Sequence, residues 1–369
     1  MIKKIKTKNF ILPTLFFLSF FFSTSQAKLY KGDIDWRGEG PLKIISSILS
    51  PDKKEVLPLR NSNHIAVQFF INKLGTKNKI LPLELTIVSD GEKLITNGRP
   101  ISLNNCQKRP SSSLKATIRL ESPFFTVKQR RPYEIQLNLT CGHMNTFTFT
   151  HDGHSGQALN IFNIAKTATL KMKKNKTISF WKRKIDIIYP GRGDYYSRGT
   201  VHITKGHFWD VVGHELGHAL YDMANIGVME GGRHRIDQCY TKGLALSEGW
   251  ASFFSAWINV GLNDPDAKFE YMVPRRAPLH FENIPSDVCQ GEKNEWRVTG
   301  FLWDLIDLNE DQDDTLKISF KDFWEFTLNK RFYSTSSLLK GMAKKGFPLP
   351  FLNLVWEQNF LTPPKNVSL

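Results

Sequence analysis

Between residues 64 and 151 the chain repeatedly alternates apolar and polar positions. The runs 64–72 (HIAVQFFIN), 81–88 (LPLELTIV), 114–120 (LKATIRL), 133–141 (YEIQLNLTC) and 145–151 (NTFTFTH) are rich in β-branched and aromatic residues. Successive side chains of a strand point to opposite faces, so a period of two predicts strands buried on one side. Clusters of Pro, Gly, Asn and Ser separate the runs. Short strands at this spacing predict an immunoglobulin-like β-sandwich over 28–152. No catalytic constellation is legible within it.

Past residue 152 the period changes. Over 157–172, Ala158, Ile161, Phe162, Ala165, Ala168 and Met172 recur at helical spacing and fall on one side. Two short strands are expected at 185–189 (IDIIY) and 200–204 (TVHIT), then helices at 208–222, 244–262, 295–308, 319–329 and 336–344. The fold class is therefore α+β: a sandwich followed by a mixed, mainly helical domain over 153–369.

Composition adds a compartment. Lys3, Lys4, Lys6 and Lys8 precede an apolar stretch over 10–22, and Ser25-Gln26-Ala27 offers a small-x-small cleavage site. Residues 1–27 thus read as a signal peptide, too short for a comfortable membrane span. An exported protein, secreted or periplasmic, with no transmembrane anchor in its mature chain is expected. Removing the segment takes four lysines from a net charge of +15 and leaves +11. Seven of the remaining basic residues lie between Lys171 and Lys184, a candidate for meeting an anionic surface. No nucleic-acid motif accompanies them, so no specific nucleic-acid partner is expected. Cys106, Cys141, Cys239 and Cys289 suit an oxidising compartment, and none lies in a C-x-x-C pair. The pairing Cys106–Cys141 and Cys239–Cys289 keeps each bridge within one domain.

The chemistry concentrates in 208–222, FWDVVGHELGHALYD. On a helix, His214 and His218 lie on one face a turn apart and can share one cation. Glu215 projects about 100° around the helix, beside a water at the metal rather than on the metal. Zinc lowers the pKa of such a water, and a neighbouring carboxylate can take its proton. A catalytic zinc site needs a third protein ligand. Glu248 is the strongest candidate, since it sits among Leu244, Ala245, Leu246, Trp250, Ala251, Phe253, Phe254 and Trp257. A lone carboxylate in that setting needs a cationic partner. Glu230, His234 and Asp237 are rival ligands in a Gly-rich loop, VMEGGRHRID. Gly213 and Gly217 leave room for another backbone to approach the histidine helix.

HELGH followed by a glutamate on a second helix resembles the gluzincin metallopeptidases, whose best-known fold is thermolysin-like. SEGWASFF resembles a segment of fungalysin-type peptidases, as does NEWRVTGFLWDLID further on. The resemblance covers roughly 155–310. It implies a zinc peptidase acting on a protein or peptide; a pure binding protein would have no use for Glu215. It also implies that 200–204 is an edge strand to which an extended peptide adds, and that a side chain steadies the oxyanion. Tyr271, His280 and Arg297 are the candidates for that last role. Position 252 is serine where thermolysin-like enzymes usually carry an aspartate behind a histidine ligand, which leaves that support to be found.

The expectation is thus a secreted zinc endopeptidase with Glu215 as general base. The alternatives are an exported binding or adhesion protein using the sandwich and the basic run, and a zinc amidohydrolase acting on an envelope or cell-wall amide. Ca²⁺ is a further candidate at the acidic run 307–314 (DLNEDQDD), although no register there supplies an EF-hand loop. Arg192-Gly193-Asp194, an adhesion-like tripeptide, sits in a Gly-rich turn that needs such a composition anyway.

Overall fold

A computed structural model describes residues 47–73, 76–309 and 317–364. Residues 1–27, expected to be a signal peptide, and most of the acidic run lie outside the described residues. The N-terminal region contains strands β1 (Ile48–Leu49), β2 (Lys53–Pro58), β3 (His64–Lys73), β4 (Thr76–Lys79), β5 (Glu84–Ile87), β6 (Lys93–Ile95) and β7 (Ile101–Ser102). A short helix α1 (Asn104–Lys108) precedes β8 (Ser113–Arg119), β9 (Phe125–Lys128), β10 (Glu134–Thr140) and β11 (His143–Thr150). One sheet runs β1-β10-β8-β5-β6 and a second runs β2-β11-β3-β4, with β7 also on β3. In the first sheet Ile135, Leu137 and Leu139 stand opposite Ile118, Ala116 and Leu114. All six are buried, so the register places both apolar sets on one face. This is the alternation visible in the sequence.

The helical region follows with α2 (His154–Lys174), β12 (Ile185–Ile188), β13 (Tyr195–Ser197), β14 (Thr200–His202), α3 (Trp209–Met223) and α4 (Lys242–Asn259). A hairpin of β15 (Lys268–Phe269) and β16 (Leu279–His280) leads to α5 (Glu295–Asp304), α6 (Phe320–Thr327), α7 (Thr335–Lys345) and α8 (Leu349–Phe360). The apolar face expected on α2 is buried throughout, from Ala158 to Met172. Strand-rich and helix-rich parts together make an α+β fold.

A third sheet joins the two parts, in the order β13-β14-β12-β9. β9 precedes residue 152 yet pairs in parallel with β12, Phe125 opposite Ile185 and Val127 opposite Ile187. Phe125 also packs on Phe162 of α2, with ring centroids 5.0 Å apart. One hydrophobic core consequently runs from the sandwich into the helices. The expected edge position of 200–204 is corrected: β14 is paired on both sides, and β13 holds the outer place. The intervening hairpin turn, absent from the period-two pattern, folds β13 back over it.

Both expected disulfides are present, Cys106–Cys141 in the sandwich and Cys239–Cys289 in the helical part. Among the described residues no helix is long and apolar enough to cross a membrane. Of the basic run 171–184, every Lys and Arg but Lys171 is exposed. Lys171 is half-buried, donating from Nζ to the Trp257 carbonyl oxygen, and burial lowers its pKa. Lys173 lies over the Phe124 ring, and Lys184 pairs with Glu121. Asp194 of the Arg-Gly-Asp turn is also buried, accepting from the Thr204 backbone N–H and hydroxyl, which withdraws it from any adhesion partner.

Candidate metal centre

Two close helix contacts set the geometry. A Cβ on Gly217 of α3 would stand 2.7 Å from the Ala251 carbonyl oxygen of α4, and one on Gly249 of α4 would meet Val298 of α5 at 2.6 Å. Only hydrogens at these positions let α3, α4 and α5 approach as they do. α4 is the central member, with every residue from Gly243 to Ile258 buried. Its start is capped by Thr241, whose hydroxyl accepts from the Leu244 N–H.

Across that contact the structure brings together His214 and His218 of α3 and Glu248 of α4. His214 Nε2 and His218 Nε2 lie 3.0 Å apart. Glu248 Oε2 lies 3.1 Å from the first and 3.0 Å from the second. All three side chains are buried, as is Glu215. On the far side of the His214 ring, Nδ1 lies 3.0 Å from Ser252 Oγ. Ser252 directs its own hydroxyl hydrogen toward Met272 Sδ, leaving an oxygen lone pair for the Nδ1–H. That tautomer leaves the Nε2 lone pair facing Glu248 and His218.

The donor set fits zinc. Three ligand atoms about 2 Å from one tetrahedral ion stand roughly 3 Å apart, as these do. Without a cation, two imidazole lone pairs and a buried carboxylate would converge at considerable cost. Ser252, at the position where thermolysin-like enzymes usually carry an aspartate, itself holds the His214 ring through a neutral hydroxyl. The serine was legible in the sequence; its reach to His214 was not.

The other candidate residues have separate occupations. Arg297 is buried and donates to the carbonyl oxygens of Val288, Cys289 and Asn359, binding α5 to the 288–289 segment and to α8. His280 Nδ1 lies 3.1 Å from Asp266 Oδ1. Tyr271 stacks on Phe208 and precedes Met272, so its segment borders Ser252. Its backbone N–H and that of Met272 donate to Asp210 Oδ2 at the start of α3. Burial raises the Asp210 pKa to about 6, against the lowering effect of those N–H groups.

Of the rival ligands, Glu230 accepts from the Thr241 hydroxyl, and Asp237 is held by Arg275 and Arg276. The Arg275 guanidinium, followed by Arg276, brings Asp237 down to about 2. His234 alone reaches the centre, with Nε2 3.8 Å from Glu248 Oε2 and 3.1 Å from Glu295 Oε2. Glu295 was not anticipated. A signal existed in its position at the head of α5, one residue after the helix-capping Asn294. The groove of about 650 Å³ lined by Leu83, Phe124, Lys166 and Lys173 lies between the sandwich and α2, away from this cluster.

Residues 167–343 match the family described as the Mycolysin C-terminal domain. The match supports a metallopeptidase family. The Mycolysin-type segment runs from within α2 to within α7 and includes His214, His218, Glu248, His234 and Glu295. The sandwich lies outside it. No curated protein sequence matches the chain.

Proposed function

We propose that this protein is a secreted zinc endopeptidase of gluzincin type. The observation that carries the reading is the convergence of His214 Nε2, His218 Nε2 and Glu248 Oε2 within 3.0–3.1 Å of one another in a buried site. These residues would hold the ion, which when bound supplies a Lewis acid that polarises a carbonyl and acidifies water. Ser252 orients His214, and the packing of α4 orients Glu248. Glu215 is the general base: its carboxylate takes the proton of the attacking water and passes it to the leaving amine. The surrounding apolar helices exclude bulk water and strengthen each of these interactions. The Mycolysin-type match supports a peptide substrate, and the export segment and disulfides support secretion.

Digestion of an unbiased peptide mixture by the mature protein and by Glu215→Gln tests this. Internal cuts made by the wild type, stopped by a chelator and reduced at least about 100-fold in the variant, are expected. Trimming from one end would replace endopeptidase by exopeptidase. Equal cutting by both proteins would remove Glu215 from the mechanism. No cutting by folded, zinc-loaded protein would favour a non-peptide amide or a binding role.

A further inference from the structure

Glu248 belongs to two buried clusters. The first contains His214 and His218; the second contains His234 and Glu295, whose ligand atoms with Glu248 all lie within 4.8 Å of one another. The loop that carries His234 is fastened. Asn294 donates from Nδ2 to the carbonyl oxygens of Ile236 and Gln238, and Cys239 is bridged to Cys289. Glu230 and Asp237 anchor the same loop to Thr241 and to Arg275 and Arg276. His234 is therefore placed by structure at both ends of its loop.

The ring's orientation carries the argument. His234 Nδ1 lies 3.0 Å from the Gly232 carbonyl oxygen, which can only accept, so Nδ1 bears a hydrogen. A neutral ring then turns the Nε2 lone pair toward Glu295 Oε2 at 3.1 Å and Glu248 Oε2 at 3.8 Å. Lone pairs facing one another in a buried site repel unless a cation or a proton lies among them. His214 in the first cluster has the same construction: Nδ1 held by an oxygen, Nε2 aimed at Glu248. A histidine anchored through one nitrogen and ligating through the other is the usual arrangement at metal centres.

We propose that His234, Glu295 and Glu248 form a second divalent-cation site, so that Glu248, whose Oε2 faces all three histidines, serves both sites. One imidazole and two carboxylates suit Zn²⁺ or a similar borderline ion such as Co²⁺ or Mn²⁺. Paired ions about 3.5–4 Å apart are an established arrangement in hydrolases. The inference rests on the first site being a metal site as proposed above. Its competitor is a proton in place of the second cation, giving a buried imidazolium–Glu295 ion pair.

Metal counting separates the two. The full mature chain, stripped of metal, is titrated with Zn²⁺ alone and the ions bound per folded chain are counted by native mass spectrometry. Two ions are expected for the wild type and one each for His234→Ala, Glu295→Gln and His218→Ala. Circular dichroism checks each fold, and the near-isosteric Glu295→Gln serves if His234→Ala does not fold. One ion in the wild type, kept by Glu295→Gln and lost by His218→Ala, overturns the second site and leaves the first standing. Two ions retained by Glu295→Gln and His234→Ala also overturn it. No ion bound by folded wild type removes both sites.

Discussion

At His214 the ring is oriented by a hydroxyl rather than a carboxylate. Ser252 can do this because it lies one turn along α4 from Glu248, within 3.0 Å of Nδ1. A neutral partner fixes the tautomer but gives less charge to strengthen the ring as a ligand. Ser252→Ala is expected to fold normally and to bind zinc about 10-fold more weakly, the lower end of the range for such partners. Competition against a chromogenic chelator measures this; unchanged affinity would show that the hydroxyl does not orient the ring. Arg297 gives the complementary lesson. Its charge and its place in the segment NEWRVTGFLWDLID made it a candidate for the oxyanion, yet its guanidinium is occupied by three carbonyl oxygens. Residue type was readable in the sequence, whereas the atoms within reach were not.

Among elements, α3 is held at its start by Asp210, which accepts from the N–H groups of Val211, Tyr271 and Met272. Its pKa is raised from 3.8 to about 6, chiefly by burial. A folded-state value above the unfolded one means that the native protein binds the extra proton between these limits. The group's contribution is therefore fully present below about pH 4 and is lost as pH rises through about 6. The change is on the order of 3 kcal/mol. Denaturant unfolding at steps from pH 4 to 7 should show Asp210→Asn losing that share of the pH dependence; an identical slope would rule out Asp210 as its source. The helices themselves were legible from their period and from HELGH. Their crossing was signalled only by Gly213 and Gly217, because a glycine marks space without naming what fills it.

At the scale of the whole molecule, β9 is the element that binds the halves. It completes the β13-β14-β12-β9 sheet, and Phe125 and Val127 enter the shared core. We propose that the sandwich is retained with the catalytic region rather than removed as a prosegment. A fragment beginning at residue 153 would leave Ile185, Ile187 and Phe162 without their cover. It is expected to lose cooperative melting by circular dichroism while the full mature chain keeps it. A fragment that melts as sharply as the full chain would make the helical part an independent domain. Among the principal runs of the sandwich, those of β8 and β10 were readable because one face of each strand is buried. β9, only four residues long and buried at three successive positions, carried no period to read.

Taken alone, the amino-acid order determined what depends on neighbours along the chain: the alternation of the strands, the faces of the helices, and two histidines one turn apart with Glu215 between them. It also supplied the reason to seek a buried carboxylate, because Glu248 lies in an apolar helix. Tertiary structure alone decided which distant groups meet. It brought Ser252 to His214, His234 and Glu295 to Glu248, and β9 to β12, contacts that join positions from 14 to 61 apart in the chain. Local periodicity reports how an element faces, but only packing between elements determines which side chains share a site.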